Sequence, residues 1–246
     1  MKILATKEYA YNLVDRCHTD TPHKFPEHNI TVPDLKAVLN TNIISDDQYY
    51  KNKKCIVIGN SGLVLDKELG TDIDQFDLIV RCNLARYEQF ETHVGSRTDV
   101  RFLSHKTFGN ILDKNFSAYD VNYIPTSDKH HLIIRSAGNV GSMIPGFAKN
   151  LKHDFSVLGL EYNTYIDRLV SPTQYCSVGF SAIVTMLALG CDVHTYGFEF
   201  YNPSKKYHYF EECTPLVQTG GRNHSVTAER EYIDMLINQN KIKKFS

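Results

Sequence analysis

The feature that most constrains this chain is a series of short apolar runs separated by stretches long enough to hold helices. Cys55–Ile58, Asp77–Val80, Val100–Leu103, His131–Ile134, Ser156–Leu158 and Val193–Tyr196 are too short for helices, and several are rich in β-branched residues, so they read as strands. Strands joined by helix-length connections predict an α/β fold with a mostly parallel central sheet and helices on both faces. Residues 1–50 carry Pro22, Pro26, Pro33 and the pair Asp46-Asp47, the composition of a partly helical arm, and the compact domain is expected over 51–246, starting near Lys53. With 246 residues, 42% of them hydrophobic and 22% charged, the chain can bury the core of one large domain.

Two helices are sharply marked. Phe180–Gly190 is apolar on nearly all sides and ends in a glycine suited to a helix C-cap, so it predicts a buried helix that feeds the strand at Val193 and points its N-terminus at the ligand edge of the sheet. Thr227–Asn240 places Ile233, Leu236 and Ile237 on one face, with acidic residues near its start and Lys241, Lys243 and Lys244 just beyond its end, the polarity that suits the helix dipole.

Charge narrows the function classes. Lys+Arg and Asp+Glu nearly cancel at a net −1, so nothing favours nucleic acid or an anionic membrane, and a small or neutral partner is expected. The N-terminus lacks the apolar run of a signal peptide, and no run of apolar residues is long enough to span a bilayer, so the chain as given reads as soluble. Six cysteines without a CxxC pair or zinc-ligand spacing are expected to be free buried thiols.

Three elements carry chemistry. In Gly59-Asn60-Ser61-Gly62 the glycines permit a tight turn after the first strand, where Asn60 and Ser61 offer donors to a phosphate or a sugar hydroxyl; read alone, these residues describe a plain turn equally well. Neither GxGxxG nor a Walker lysine is present, which excludes the usual NAD dehydrogenase and P-loop patterns. Tyr175-Cys176-Ser177-Val178-Gly179 runs into the buried helix and is either an anion site at a helix N-terminus or an ordinary serine cap, and by itself the cap is the first reading. Of eleven histidines, His208 and His224 stand apart, because each lies in a polar loop after the last expected strand with an acidic residue nearby: Glu211 or Glu212 for His208, Glu229 for His224. No HExxH accompanies them and no third ligand has conventional spacing, so no zinc site is expected.

Taken in order, these blocks resemble the four sialylmotifs of the eukaryotic-type sialyltransferases, over roughly residues 53 to 244. The large motif resembles Cys55–Gly62 with Ile73–Asp77, Val80–Asn83 and Val94–Thr98; the small motif resembles Tyr175–Gly179 through Tyr196–Phe198; the third is His208-Tyr209-Phe210-Glu211; the very small one is His224 with Glu229. The resemblance implies a single Rossmann-like α/β/α domain, a GT-A-like variant. It also implies transfer of sialic acid from CMP-sialic acid to a hydroxyl of an acceptor glycan such as a galactoside, with inversion and without metal or cofactor. By the same resemblance Asn60, Ser61 and Asn83 contact CMP, Ser177, Val178 and Gly179 close on the donor, Tyr175 and His208 hold the phosphate, His224 is the base, and Glu229 supports the loop. Departing CMP leaves a doubly negative phosphate and an oxocarbenium-like sugar, so a direct displacement needs charge stabilisation on one side and one base on the other.

This chain also departs from the family pattern. A cysteine pair links the large and small motifs in the family; here Cys55 fits, but ungapped counting from Gly179 to Tyr196 puts Gly190 at the partner position and Cys191 one residue beyond, which speaks against the disulfide. Val178 stands where the family has Ser or Thr, and Cys176 where it has proline, which keeps CMP-Kdo open as an alternative donor. A non-catalytic nucleotide- or glycan-binding protein of the same fold is the alternative from another class, and the two retained histidines argue against it. With no membrane anchor in the sequence as given, a microbial or viral enzyme, cytoplasmic in that case, or a trimmed catalytic domain of the Golgi lumen is expected. Acceptor choice is assigned to the loop between Ser104 and Tyr165.

Overall fold

The computed structural model describes residues 49–104, 107, 131–135, 155–158, 160–198, 206–211 and 224–246. The expected N-terminal arm lies outside them except for its last two residues, as do Cys17, Cys213, Glu212 and most of the loop assigned to the acceptor. Seven strands, β1 (Lys54–Ile58), β2 (Leu78–Cys82), β3 (Val100–Ser104), β4 (His131–Arg135), β5 (Phe155–Leu158), β6 (Asp192–Tyr196) and β7 (Ile242–Lys244), form one sheet in the order β5-β4-β3-β2-β1-β6-β7. Every adjacent pair is parallel. The chain builds outward from β1 to one edge, then returns to place β6 and β7 on the other side. The strand order therefore reverses between β1 and β6, and at such a switch point the loops beyond the carboxyl ends diverge to opposite faces and leave a crevice.

Both faces of the sheet are buried. On β1, Cys55 and Val57 join the core cluster that includes Phe180 and Ile183, whereas Ile56 and Ile58 join one that includes Val64, Ile73 and Tyr209. Period-two alternation thus feeds two apolar layers, which is why the strands read as continuous hydrophobic runs. Five helices accompany the strands among the described residues: α1 (Gly70–Ile73), α2 (Glu91–Val94), α3 (Leu160–Arg168), α4 (Val178–Ala188) and α5 (Val226–Asn238).

The expected buried helix is α4. Ser177 caps its start by accepting from the Phe180 amide at 3.1 Å. Its end is a Schellman closure: the Cys191 amide donates to Met186 O and the Gly190 amide to Leu187 O, with Gly190 at φ +84°. Helix α5 ends the same way on Asn240, φ +54°, whose amide donates to Ile237 O while that of Lys241 donates to Leu236 O. This turn starts β7, a strand that periodicity does not reveal because Ile242 is its single buried residue between exposed lysines.

Strand boundaries shift for visible reasons. Asp77 stays outside β2 because its carboxylate accepts from the Lys54 amide at the start of β1 (2.8 Å). β2 runs on to Cys82 through a charged residue, Arg81, whose buried guanidinium donates to Thr98 Oγ1 and to the carbonyls of Val94, Gly95 and Arg97.

Candidate active site

The loop after β1 meets the end of β6 at van der Waals limits. A Cβ on Gly59 would lie 2.2 Å from Gly197 O, so this crossing tolerates no side chain. The Gly59 amide donates to Tyr196 O, that of Ser61 to Gly197 O and that of Gly62 to Lys206 O. These three amides are therefore engaged within the protein rather than open to a ligand. Ser61 turns its hydroxyl to the Leu63 amide (3.3 Å) and caps a short 3-10 turn.

The side chains at this edge remain for a ligand. Asn60 Nδ2 lies 3.5 Å from Cys82 O, and its Oδ1 is buried without a hydrogen-bond partner among the described residues. Asn83 occupies the left-handed region, φ +51°, and its Oδ1 accepts from the Ser104 amide at 3.0 Å, so its NH2 has no partner among the described residues. Arg101 holds that turn by donating through Nη1 to the carbonyls of Asn83 and Ala85, both at 2.8 Å. Burial, reinforced by neighbouring Arg81, pushes the Arg101 pKa down to about 10.

His208 is seated by the residue after it. Tyr209 is fully buried, its amide donates to Asn60 O at 2.9 Å and its hydroxyl to Arg86 O, which ties this segment to the β1 loop. His208 Nδ1 lies 2.8 Å from Glu211 Oε2, and its ring stacks on Phe210. Of the two acidic candidates, Glu211 is the partner within the described residues. A carboxylate accepts, so Nδ1 carries a proton and Nε2 is the ring nitrogen left over.

Around the start of α4 a second group gathers. Tyr175 and His224 pair as an isolated parallel bridge, and His224 Nδ1 lies 2.9 Å from Tyr175 O. A carbonyl oxygen can only accept, so Nδ1 carries a proton, and in the neutral ring this tautomer leaves the lone pair on Nε2. Glu229, placed beside His224 by sequence spacing, gives its hydrogen bonds to another residue: Oε1 accepts from the Ser177 amide at 2.7 Å and Oε2 from the Ser177 hydroxyl at 2.6 Å. The carboxyl is fully buried, and burial raises its pKa against the opposing pull of the Ser177 bonds. The Ser177 hydroxyl thus donates to Glu229 and accepts from Phe180. At this helix start the amides of Val178 and Gly179 are the groups without a partner among the described residues, and Tyr175, shortly before them in the chain, is 63% exposed.

The two groups meet at the end of β6. Gly197 packs on the β1 loop, and the next residue, Phe198, fills the space above Gly179, where a Cβ would come within 2.5 Å of the ring. Both clusters thus border the β1/β6 switch point.

Among the described residues no cluster of histidine, cysteine, aspartate and glutamate could hold a metal, and no helix is long and apolar enough to cross a membrane. Cys55 and Cys191 are buried free thiols, and Cys191 Sγ donates to Tyr50 O at 3.2 Å. The Cys55 thiol is pushed up by burial and by its hydrogen bond with Cys191, so the residue beside Cys55 is Cys191 rather than Gly190. The left-handed turn at Gly190 brings it there, which ungapped counting misses.

The model of glycosyltransferase family 29, the sialyltransferases, matches residues 6–241. The chain belongs to this family. The type 2 lactosamine alpha-2,3-sialyltransferase of Mus musculus is 26% identical over 217 residues, covering 77% of this family 29 chain and 64% of the relative. The CMP-N-acetylneuraminate-beta-1,4-galactoside alpha-2,3-sialyltransferase of Homo sapiens is 24% identical, covering 79% and 57%. The chain thus spans less than two thirds of the length of these relatives. A crystal structure of a mammalian sialyltransferase superposes with a TM-score of 0.58 at 20% identity, covering 100% of this chain and 90% of that one, and so shares its fold.

Sequence reading missed Arg101 and Tyr209 as parts of the site, and with them a buried Arg135–Asp167 pair that bonds to the main chain of Cys176. The arginines had a usable signal, because a charge inside or at the end of an apolar run, as in Val100-Arg101-Phe102 and Leu132-Ile133-Ile134-Arg135, must find buried acceptors.

Proposed function

We propose that this family 29 chain transfers sialic acid from CMP-sialic acid to a hydroxyl of a galactoside acceptor, with inversion and without a metal. Family membership and relatives named as alpha-2,3-sialyltransferases acting on galactosides support the reaction class and the acceptor. The observation that carries the mechanism is the His224 ring, held through Nδ1 by the Tyr175 carbonyl so that Nε2 is the nitrogen left for the acceptor.

In this reading the acceptor oxygen attacks the anomeric carbon as its bond to the CMP phosphate oxygen breaks. The bonding pair leaves with the phosphate, and the acceptor proton goes to His224 Nε2. His208, with Glu211 on Nδ1, offers its other nitrogen to the leaving phosphate, and Tyr175 adds a hydroxyl. Asn60, Ser61 and Asn83 hold CMP, and the α4 start, Ser177-Val178-Gly179, closes on the donor. The share of Val178 is its amide, which the lost hydroxyl of this position does not affect. Glu229 holds the loop through Ser177 and makes no contact with the reacting atoms.

The test is CMP release in EDTA from CMP-sialic acid and, separately, CMP-Kdo, with a panel of galactosides. Release from CMP-sialic acid that requires an acceptor and falls about 10²- to 10⁴-fold in His224→Ala, with CMP affinity retained, is the expected result. Release from CMP-Kdo alone, loss of activity in EDTA, or full activity of His224→Ala refutes the donor, the metal independence or the base, respectively.

A further inference from the structure

Beneath the Tyr175–Ser177 turn lies a buried ion pair to which the mechanism above gives no task. Arg135, at the end of β4, donates through Nη2 to Asp167 Oδ1 in α3; both side chains are about nine-tenths buried, at 9% and 11% exposure. Each also grips the main chain of the turn. Asp167 Oδ1 accepts from the Cys176 amide at 2.7 Å, and Arg135 Nη1 donates to the Cys176 carbonyl.

The Cys176 amide and the Tyr175 carbonyl belong to one peptide group. That group therefore bridges two partners: Asp167 Oδ1 on its N–H and His224 Nδ1, at 2.9 Å, on its C=O. The next peptide is bridged likewise, with Arg135 on the Cys176 carbonyl and Glu229 Oε1 on the Ser177 amide. A trans peptide is rigid and points N–H and C=O in opposite directions, so a carboxylate fixed on one side aims the carbonyl on the other. A negative charge on the N–H also draws the amide toward its charge-separated form and makes the carbonyl oxygen a stronger acceptor. Among the described residues His224 Nδ1 bonds to the Tyr175 carbonyl and to no carboxylate, and Asp167 reaches it through that peptide.

We infer that Asp167 is a positioning residue for His224: acting through the Tyr175–Cys176 peptide, with Arg135 holding it in place, it fixes the Nδ1–H tautomer and so presents Nε2 to the acceptor. The task is that of the aspartate in a serine-protease triad, carried out across one amide. The inference rests on reading His224 as the base. Two features set it apart from a purely structural ion pair. Asp167 Oδ1 is shared between the guanidinium and the amide, and the carbonyl of that same amide accepts from the ring of the proposed base.

Asp167→Asn separates the roles. An asparagine oxygen can still accept from both the Cys176 amide and Arg135, so the substitution keeps the geometry at nearly constant volume but removes the negative charge on the peptide N–H and weakens the Tyr175 carbonyl as an acceptor for His224. The first readout is the His224 tautomer in resting, 15N-labelled protein at about pH 8, where ordinary imidazole is neutral, identified by the signals lost in His224→Gln. The wild type is expected to show Nδ1–H, and Asp167→Asn a mixture with Nε2–H. The second readout is kinetic: kcat falls roughly ten- to a hundredfold while KM for the CMP-sugar stays within about twofold. If Asp167→Asn does not fold, the double variant Arg135→Met/Asp167→Asn leaves neither charge buried alone and is read the same way. An unchanged tautomer in the folded variant overturns the inference, whatever the activity. Because that readout needs no substrate, a wild type with Nδ1–H that shifts in the variant but transfers no sugar supports the relay and overturns only the sialyl-transfer reading.

Discussion

Replacing Glu229 tests how the α4 and α5 elements are joined. Glu229→Ala removes both acceptors of Ser177, leaving an amide and a hydroxyl without partners behind a fully buried position. Each orphaned donor costs about 1–3 kcal/mol. Part is returned, because the buried carboxylate is itself costly: its pKa is raised with burial as the first cause. A net loss of about 2–3 kcal/mol results, and at about 2–4 °C per kcal/mol for a domain of this size the melting temperature falls by roughly 5–10 °C. Glu229→Gln behaves differently. Its oxygen can keep the Ser177 amide, and a rotated Ser177 hydroxyl can accept from the new NH2, so stability stays within about 1 kcal/mol of wild type at neutral pH. The sign with pH follows from the raised folded pKa. The folded state holds the proton more tightly than the unfolded chain, so Glu229 contributes most stability below its unfolded pKa and loses that contribution as pH rises through the folded one. Wild type therefore loses ground to Glu229→Gln from about pH 4.5 upward. Thermal and urea melts of the three proteins across this range supply the numbers. A Glu229→Ala protein that melts with wild type, or a Glu229→Gln as damaged as Glu229→Ala at neutral pH, refutes the reasoning.

Two further predictions concern the nucleotide edge. Asn60→Ala deletes a carboxamide whose buried oxygen has no partner among the described residues, so calorimetry should show CMP affinity falling about tenfold with little change in melting temperature; undiminished CMP binding contradicts this placement of the nucleotide. Gly59→Ala drives a Cβ to 2.2 Å from Gly197 O, which only backbone movement relieves, so the melting temperature should fall by an amount matching about 2 kcal/mol or more, and CMP binding should weaken with it. A Gly59→Ala protein with wild-type stability shows that the two loops are not in contact.

Six of the seven strands were legible because strands buried on both faces are short continuous apolar runs, a signal that needs no knowledge of their neighbours. β7 was not legible, because a short edge strand with one inward side chain and two lysines looks like the basic tail of a helix. The ends of α4 could be read from Ser177 and Gly190, since caps are local chemistry. Partners were harder. Glu229 lies five residues from His224 in sequence, yet its carboxylate bonds to Ser177, which is 52 positions away. His224 is instead fixed by a carbonyl 49 positions away. Cys191 reaches Cys55 only through a left-handed turn at Gly190, which changes direction without changing residue count.

The sequence by itself determined the class of fold, the helix that starts at the ligand edge, and the histidines, asparagines and serine gathered near it. These follow from periodicity, capping and residue chemistry, which act over a few residues and so are written along the chain. Only the tertiary structure decided that the glycines of the β1 loop serve close packing against the end of β6, that Glu229 serves Ser177, and that a buried Arg135–Asp167 pair reaches His224 through one peptide. Those outcomes depend on which backbone groups the parallel crossovers bring face to face, and a hydrogen bond at 2.7 Å between residues far apart in sequence leaves no periodic trace in either segment.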